Sequence, residues 1–339
     1  MRLKHNNKLK IKPAKRNIGF SRNVVRHTKV QNMIDSNQIV VYGGTGFYGQ
    51  KVVEKLVKKG QSIKVVTRNS ENAKNIVGDK VVLFQGDVTE KGTIEKSLEN
   101  VGAIVICLSA MSNKLIRRMK EIERDAVLEI MEQAKKANIS RLVYMSGYEM
   151  RKQLLDDLKI PEFGEIKIEV EGKIRQSDFN WTILGDAPAF EMFFAFLNKG
   201  KMTVPGGGLN AFPTISPEDV GEITAQIVMR EDLNERRIRL TGPKAYSFPE
   251  VAKLITDISG QRIKHMTIPL FLINIVSFLL LPFTPFVRFI YKSLKMLNNF
   301  PADLADNVPV DHKLLRELFD YEPVTLEMEI NRRVNENSL

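Results

Sequence analysis

The amino-acid sequence predicts an α/β fold, a doubly wound parallel sheet with a smaller, mostly helical C-terminal part. Three observations carry this. From residue 38 onward, short apolar runs alternate with amphipathic stretches, the pattern of parallel strands joined by right-handed helical crossovers. Runs such as LVYM at 142–145 and AIVICL at 103–108 are apolar at every position, as strands covered by helices on both faces are. Between the first run and the first helical pattern stands the stretch GGTGFYG, where something must approach the backbone closely.

In order, the pattern predicts strand 39–43, helix 47–59, strand 62–67, helix 71–76, strand 81–85, helix 91–99 and strand 103–108. A long helix over 113–137 follows, then strand 141–145, helix 165–177 and strand 180–184. After Gly185 the composition turns to Phe, Gly and Pro (FEMFFAF, VPGGG), which reads as loop and pocket material. Helix 217–229 and strand 238–242 return to the main sheet, and 248–259 is a short amphipathic helix. The organisation is a basic extension over 1–33, a sheet domain over 34–185 and a C-terminal part over 186–339. That last part holds the return elements at 217–242 and an apolar stretch at 268–287.

The 339 residues suffice for one large core or a core with a smaller appendage. Hydrophobic residues make up 43% and charged residues 27%, as in ordinary globular proteins. The single cysteine, Cys107, excludes an internal disulfide. It lies in an apolar run, reads as buried filler, and fits a reducing compartment. Net charge is +11, yet residues 1–34 hold ten Lys or Arg and no acid, which leaves +1 for the rest. The charge therefore belongs to an extension. That extension lacks heptads, interleaved aromatics and zinc-ligand spacing, so nucleic acid is not an expected partner. It reads in three ways: an arm that touches an anionic surface, an organelle transit peptide, or a segment upstream of a natural start at Met33. His5, His27, His265 and His312 are scattered without ligand spacing, so no metal is expected.

Gly43, Gly46 and Gly49 fit the spacing G-x-x-G-x-x-G between a strand and a helix. Gly43 permits the tight turn, Gly46 lets a pyrophosphate approach, and Gly49 lets the helix pack on the strand. The helix N-terminus then offers open N–H groups to phosphate. Gly44, Thr45 and Phe47 complete the expected cofactor loop. The second strand ends in Thr67 and Arg68, where an NAD-preferring site usually carries an acid for the ribose 2′-hydroxyl. A guanidinium can pair with a 2′-phosphate and stack on adenine, so NADP(H) is expected over NAD. Asp87, in GDVT after the third strand, is placed either to touch the adenine edge or to cap helix 91–99.

With these residues in view, the chain resembles the NmrA-like branch of the atypical short-chain dehydrogenase/reductase superfamily. The matching stretches are GGTGFYG, VTRN, GDVTE, RLVYMSG, KIEVEGKIRQSDFNWTIL, FPTISPEDVGEITAQIV and IRLTGP, together covering about 38–260. The resemblance implies a Rossmann sheet with a C-terminal substrate-binding part. Active members use a Ser, a Tyr and a Lys, with the Tyr four residues before the Lys. The Lys holds the nicotinamide ribose, the Tyr protonates the acceptor oxygen, and the Ser orients it. Ser146 in YMSG matches the Ser. Lys167, four before Glu171, matches the Lys. The position four before Lys167 is Phe163, which cannot donate a proton. Three explanations stand open. The protein binds NADP without turnover, as a sensor or as an accessory subunit of a membrane complex. Or it reduces a quinone or conjugated alkene that needs no tyrosine acid. Or Tyr148 supplies the hydroxyl.

Other residues read more plainly. Asp186 and Glu191 are expected as solvated loop acids, and Trp181 as core. Phe190, Phe193, Phe194 and Phe196 either line an apolar substrate pocket or pack ordinarily. Ile268 to Val287 is uncharged, but Pro269, Pro282 and Pro285 leave only Leu270–Leu281 uninterrupted, shorter than a membrane span. This stretch reads in three ways: a helix closing over the crevice, a peripheral membrane contact flanked by Arg262, Lys264, His265, Arg288, Lys292 and Lys295, or a true span. The expected partner is a small, apolar substrate, and the expected location is cytoplasmic or membrane-associated, unless residues 1–33 direct the chain to an organelle.

Overall fold

The computed structural model describes residues 38–339; the extension 1–33, with its three readings, lies outside the described residues. The first half alternates strand and helix: β1 (Gln38–Tyr42), α1 (Gly49–Lys58), β2 (Ile63–Thr67), α2 (Ser70–Val77), β3 (Val82–Gln85), α3 (Thr93–Ser97), β4 (Val101–Ile106), α4 (Ala126–Lys136), β5 (Arg141–Gly147), α5 (Lys152–Asp157), α6 (Glu165–Arg175) and β6 (Asn180–Asp186). The second half runs α7 (Glu191–Phe194), β7 (Leu197–Asn198), β8 (Lys201–Pro205), β9 (Phe212–Pro213), α8 (Pro217–Val228), β10 (Arg236–Leu240), β11 (Ala245–Tyr246), α9 (Phe248–Ser259) and β12 (Lys264–Ile268). It closes with α10 (Leu270–Leu279), α11 (Pro285–Asn298), α12 (Ala302–Asp306), α13 (Val308–Leu318) and α14 (Leu326–Asn335).

Seven strands form one sheet in the order β10-β6-β5-β4-β1-β2-β3, all parallel. The fold is the expected Rossmann-like one. Alternate residues of its strands, Val40, Tyr42, Ile104, Ile106, Leu142, Tyr144 and Ile183, meet in one core under helices on one face. Strand order reverses at β1, which pairs with β2 on one side and β4 on the other. At such a switch point the crevice outside the strands' C-terminal ends is open to a ligand. On the other face α8 crosses α1 closely: a Cβ on Gly221 would lie 2.7 Å from the Lys51 carbonyl carbon. The predicted late strand joins the sheet edge as β10, in register with β6 from Arg236↔Thr182 to Leu240↔Asp186.

One expectation is corrected, and one open pair of readings is decided. The segment 113–137 is not one helix. A 3-10 turn at Ile116–Arg118 and a π turn at Glu121–Asp125 precede α4, and π turns recur at functional sites. The phenylalanines after β6 mostly pack rather than line a pocket. Phe193 stacks on Phe212 at 5.3 Å and meets Phe248 edge-on at 5.0 Å; Phe196 meets Phe248 at 5.3 Å. Phe190 is buried, and Phe194 lies under the Arg333 guanidinium at 4.0 Å. Trp181 is buried in the core as expected.

The apolar stretch 268–287 is divided between the end of β12, the ten-residue α10, a proline-bounded turn and the start of α11. Among the described residues no helix is long and apolar enough to cross a membrane.

Candidate functional site

The glycine loop leaves β1 with Gly43 at φ +79°, a conformation that favours glycine. A Cβ there would lie 2.5 Å from the Cys107 carbonyl oxygen, so the loop is pressed against the end of β4. A Cβ on Gly49 would lie 2.1 Å from the Gly43 oxygen; this glycine lets α1 begin against the turn. A Cβ on Gly46 would meet only the Gly43 oxygen, at 3.1 Å, and Gly46 and Phe47 are exposed. Gly44 is buried against Val65 and Val53, and Thr45 is half-buried. No side chain caps the N-terminus of α1. A tight turn, an open approach and an uncapped helix end fit a dinucleotide pyrophosphate.

At the other side of the switch point, Arg68 is exposed just past β2. Thr67 is buried, donating its hydroxyl to the Asn69 carbonyl at 3.2 Å. Asp87 does not cap α3, whose N-cap position is Gly92. Its Oδ1 instead accepts from the Thr89 backbone N–H at 3.0 Å and from the Thr89 hydroxyl at 2.7 Å, while Oδ2 lies 3.6 Å from Arg118. Burial works against the charged form of Asp87, but those hydrogen bonds, with the charges of Arg118 and Arg68, hold its carboxyl below the usual range.

Ser146 and Lys167 sit on neighbouring elements at the sheet's C-terminal edge. Ser146 lies near the end of β5, and its hydroxyl is buried without a hydrogen-bond partner. Lys167, on α6, sends Nζ to the Met145 carbonyl at 3.4 Å and to Glu123 Oε2 at 3.3 Å, 5.1 Å from the Tyr144 ring centre. Burial favours the neutral amine, but Tyr144 and Glu123 outweigh it and hold the ammonium above its ordinary range. Glu123 is the residue sequence reasoning missed. It stands in the π turn, buried, with Oε1 accepting from the Ala110 backbone N–H at 2.6 Å. It thus ties the segment after β4 to the lysine.

Glu171, which completes the K-x-x-x-E pattern, does not reach Lys167 in this arrangement. It accepts from Arg237 Nε at 3.0 Å. Arg237 in turn donates to the carbonyls of Gly147 at 2.7 Å and Tyr148 at 3.0 Å. A residue of the late edge strand β10 therefore fixes the turn that follows Ser146. The Tyr148 hydroxyl donates to Asp311 on α13 at 2.7 Å. Its proton is engaged in that contact, not offered beside Ser146. Phe163, which the resemblance sets at the tyrosine position, ends a 3-10 turn and meets Phe289 of α11 at 5.6 Å with the rings tilted, so its side chain packs in an aromatic pair.

The expectation for Asp186 and Glu191 as solvated loop acids is overturned. Each has a buried carboxyl oxygen without a partner, Asp186 Oδ1 and Glu191 Oε2. Asp186 ends β6, in register with Gly147 of β5 and Leu240 of β10. Burial, against the opposing charges of Lys167 and Arg237, pushes its carboxyl up to about 8. Cys107, expected as buried filler, is only partly buried, at the end of β4; desolvation and the Asp186 charge raise its thiol well above the ordinary range. Tyr48, at the start of α1, donates its hydroxyl to the Ala187 carbonyl at 3.0 Å and links the glycine loop to this same corner. The Tyr144 hydroxyl is also buried without a partner. The unpaired hydroxyls of Ser146 and Tyr144 and the Asp186 carboxyl thus share one end of the sheet.

A Rossmann-like sheet, an open glycine turn at its switch point and a partly buried lysine at the sheet's C-terminal edge define a nicotinamide-dinucleotide-binding protein. The chain belongs to the NAD(P)H-binding family, whose model matches residues 43–231, and within it to the NmrA-like, atypical short-chain dehydrogenase/reductases. It is similar to the photosystem II assembly factor Ycf39 of Trieres chinensis, 24% identical over 243 residues that cover 70% of this chain and 74% of that one. It is also similar to the chloroplastic divinyl chlorophyllide a 8-vinyl-reductase of Arabidopsis thaliana, 27% identical over 262 residues; these cover 70% of this chain but only 61% of the relative's length. Among solved structures, the NADPH-dependent quinone oxidoreductase QOR2 of Escherichia coli, complexed with NADPH, superposes with a TM-score of 0.69 at 17% identity. The match covers 87% of this chain and 99% of that one, and shows the shared fold.

Proposed function

We propose that this protein is an NADPH-preferring oxidoreductase that reduces a lipophilic acceptor such as a quinone or a conjugated enone. The observation that carries the reading is the combination of Ser146 and Lys167 with an aromatic pair, Phe163 and Phe289, where the resemblance sets a tyrosine acid. A pure binder needs only the lysine; the buried, unpaired Ser146 hydroxyl has a use when an acceptor oxygen arrives. Bound NADPH would supply the hydride.

The chain's own residues divide the remaining work. Gly43, Gly44, Thr45, Gly46, Phe47 and Gly49 cradle the pyrophosphate. Thr67, Arg68 and Asp87 frame the adenosine end, with Arg68 facing the 2′-phosphate. Lys167, held by Glu123, fixes the nicotinamide ribose. Ser146 hydrogen-bonds the acceptor. A two-electron reduction by hydride also needs one proton, and in this reading Asp186 holds it: its carboxyl is protonated at neutral pH and has an unpaired oxygen at the sheet edge. Residues 268–287 stand at a lipid surface, where such an acceptor partitions.

A second reading has its own support: a catalytically silent NAD(P)-binding sensor or accessory subunit of a membrane complex. Phe163 favours it, as does the likeness to a relative described as an assembly factor.

The coenzyme part is tested by titrating NADPH and NADH into wild type and Arg68→Ala. Loss of one charge-assisted phosphate pair weakens NADPH about tenfold or more and leaves NADH unchanged. An unchanged affinity ratio contradicts the assignment of Arg68.

A further inference from the structure

We propose that α10 and its turn into α11 form a docking element that lies in the plane of an anionic lipid surface. It extends the lipophilic-acceptor reading, but vesicle binding is read without turnover, so the two can fail separately.

The polarity of α10 is inverted. A helix on a water-facing surface turns its polar side chains outward. Helix α10 does the opposite. Its two polar residues, Asn274 and Ser277, face inward: Arg288 donates to Asn274 Oδ1 at 2.7 Å, and Ser277 is fully buried. The outward side chains are Phe271 at 61% exposure, Phe278 at 57% and Leu279 at 68%, and in the turn Phe283 reaches 79%. With Ile275 beside them, they make a contiguous apolar surface of the kind that marks an interaction site.

The segment around α10 is basic. Residues 258–302 contain no Asp or Glu, but include Arg262, Lys264, Arg288, Lys292 and Lys295. Lys292 is neutralised by Glu162 at 2.5 Å, and Arg288 serves α10 from within. Arg262 and Lys264, at the start of the strand that leads into α10, are exposed. The segment after β4 adds exposed Lys114, Arg117 and Lys120, and Arg117 donates to the carbonyls of Pro282 and Phe283 at 3.1 and 2.8 Å. An apolar helix rimmed by cations suits an anionic headgroup layer, with the apolar face in the acyl boundary. Ten residues extend about 15 Å, half the hydrocarbon thickness, so the helix lies in the surface.

The α10–α11 turn also joins elements that border the candidate site. Phe283 leads into α11, where Phe286 lies 6.4 Å from Phe289, and Phe289 meets Phe163 just before the lysine helix. Thr284 donates to Asn113 at 2.6 Å, joining the same turn to the segment after β4. Aromatic side chains thus lead from the α10–α11 turn toward the start of the lysine helix.

The test is co-sedimentation of the full chain with vesicles of phosphatidylcholine alone and with 30% phosphatidylglycerol (about that fraction suffices for charge attraction), at low and high salt. The control variant is Phe271→Ser/Leu279→Ser/Phe283→Ser. All three side chains face outward, so the fold should persist, as retained NADPH binding and circular dichroism will verify. The expected result is binding that favours anionic vesicles, weakens with salt, and falls at least about tenfold in the triple variant. Three results would overturn the proposal: no vesicle binding by wild type, binding unchanged by the triple substitution, or a wild-type dimer that the substitutions dissociate while vesicles stay unbound. The last would assign the face to a second copy of this chain.

Discussion

Replacing Lys167 by methionine is expected to weaken NADPH binding by about one to two orders of magnitude and to reduce turnover further, since the ribose loses its anchor. The structure adds a consequence the sequence pattern does not. Lys167 is the cation for Glu123, which is buried and also receives the Ala110 N–H. Removing one partner of a buried pair leaves an uncompensated charge and costs about 3–5 kcal/mol. Lys167→Met should therefore be markedly less stable. Adding Glu123→Gln should restore much of the melting temperature, because the amide still accepts from Ala110 and carries no charge. It should not restore NADPH binding. A double variant that regains both would reduce Lys167 to a structural residue. One that regains stability alone supports a direct role at the ribose.

Asp186→Asn should move activity and stability in opposite directions. The folded carboxyl is raised to about 8, whereas an unfolded Asp titrates near 3.9. The native state thus binds a proton more tightly than the unfolded one between those values. By linkage, stability then falls as pH rises through that window, by on the order of 1.4 kcal/mol per unit, and levels off above it. The asparagine variant has no such slope. Its melting temperature should match or exceed wild type at pH 8, with the advantage vanishing near pH 4. Activity should behave otherwise. If Asp186 holds the transferred proton, wild-type turnover declines above about pH 8, and Asp186→Asn loses roughly a hundredfold or more at neutral pH together with that limb. A variant that is stabilised and fully active, with the wild-type pH profile, would leave Asp186 out of the chemistry.

Much of this was legible in the sequence because it is written locally. The strand and helix periods showed the succession of elements along the chain and a parallel, doubly wound sheet, and the spacing of Gly43, Gly46 and Gly49 reported a backbone constraint that the positions of Cys107 and Gly43 oxygens explain. Ser146 and Lys167 were singled out by the family resemblance, on the local stretches YMSG and K-x-x-x-E. What was missed depends on distant partners. The helical pattern of 113–137 continues through its π turn, so nothing local marks Glu123 as a buried acid that meets α6. Asp186 and Glu191 look like loop acids until β10 and the helices after it cover them. Tyr148 stands two residues after Ser146, yet its hydroxyl is claimed by Asp311, 163 positions away. The apolar stretch 268–287 was conspicuous by composition. The direction it faces was not, because Asn274 and Ser277 turn inward only through Arg288 of the next helix.

The central claim is reduction of a lipophilic acceptor without the tyrosine. It is tested most directly by NADPH consumption by the purified protein over quinones, enones and simple ketones, with NADPH binding measured in the same samples. The account predicts binding, turnover on quinones or enones, and little or none on simple ketones. Binding without turnover on any acceptor would contradict it and leave the silent NADP-binding reading; absence of binding would remove the cofactor assignment on which both depend.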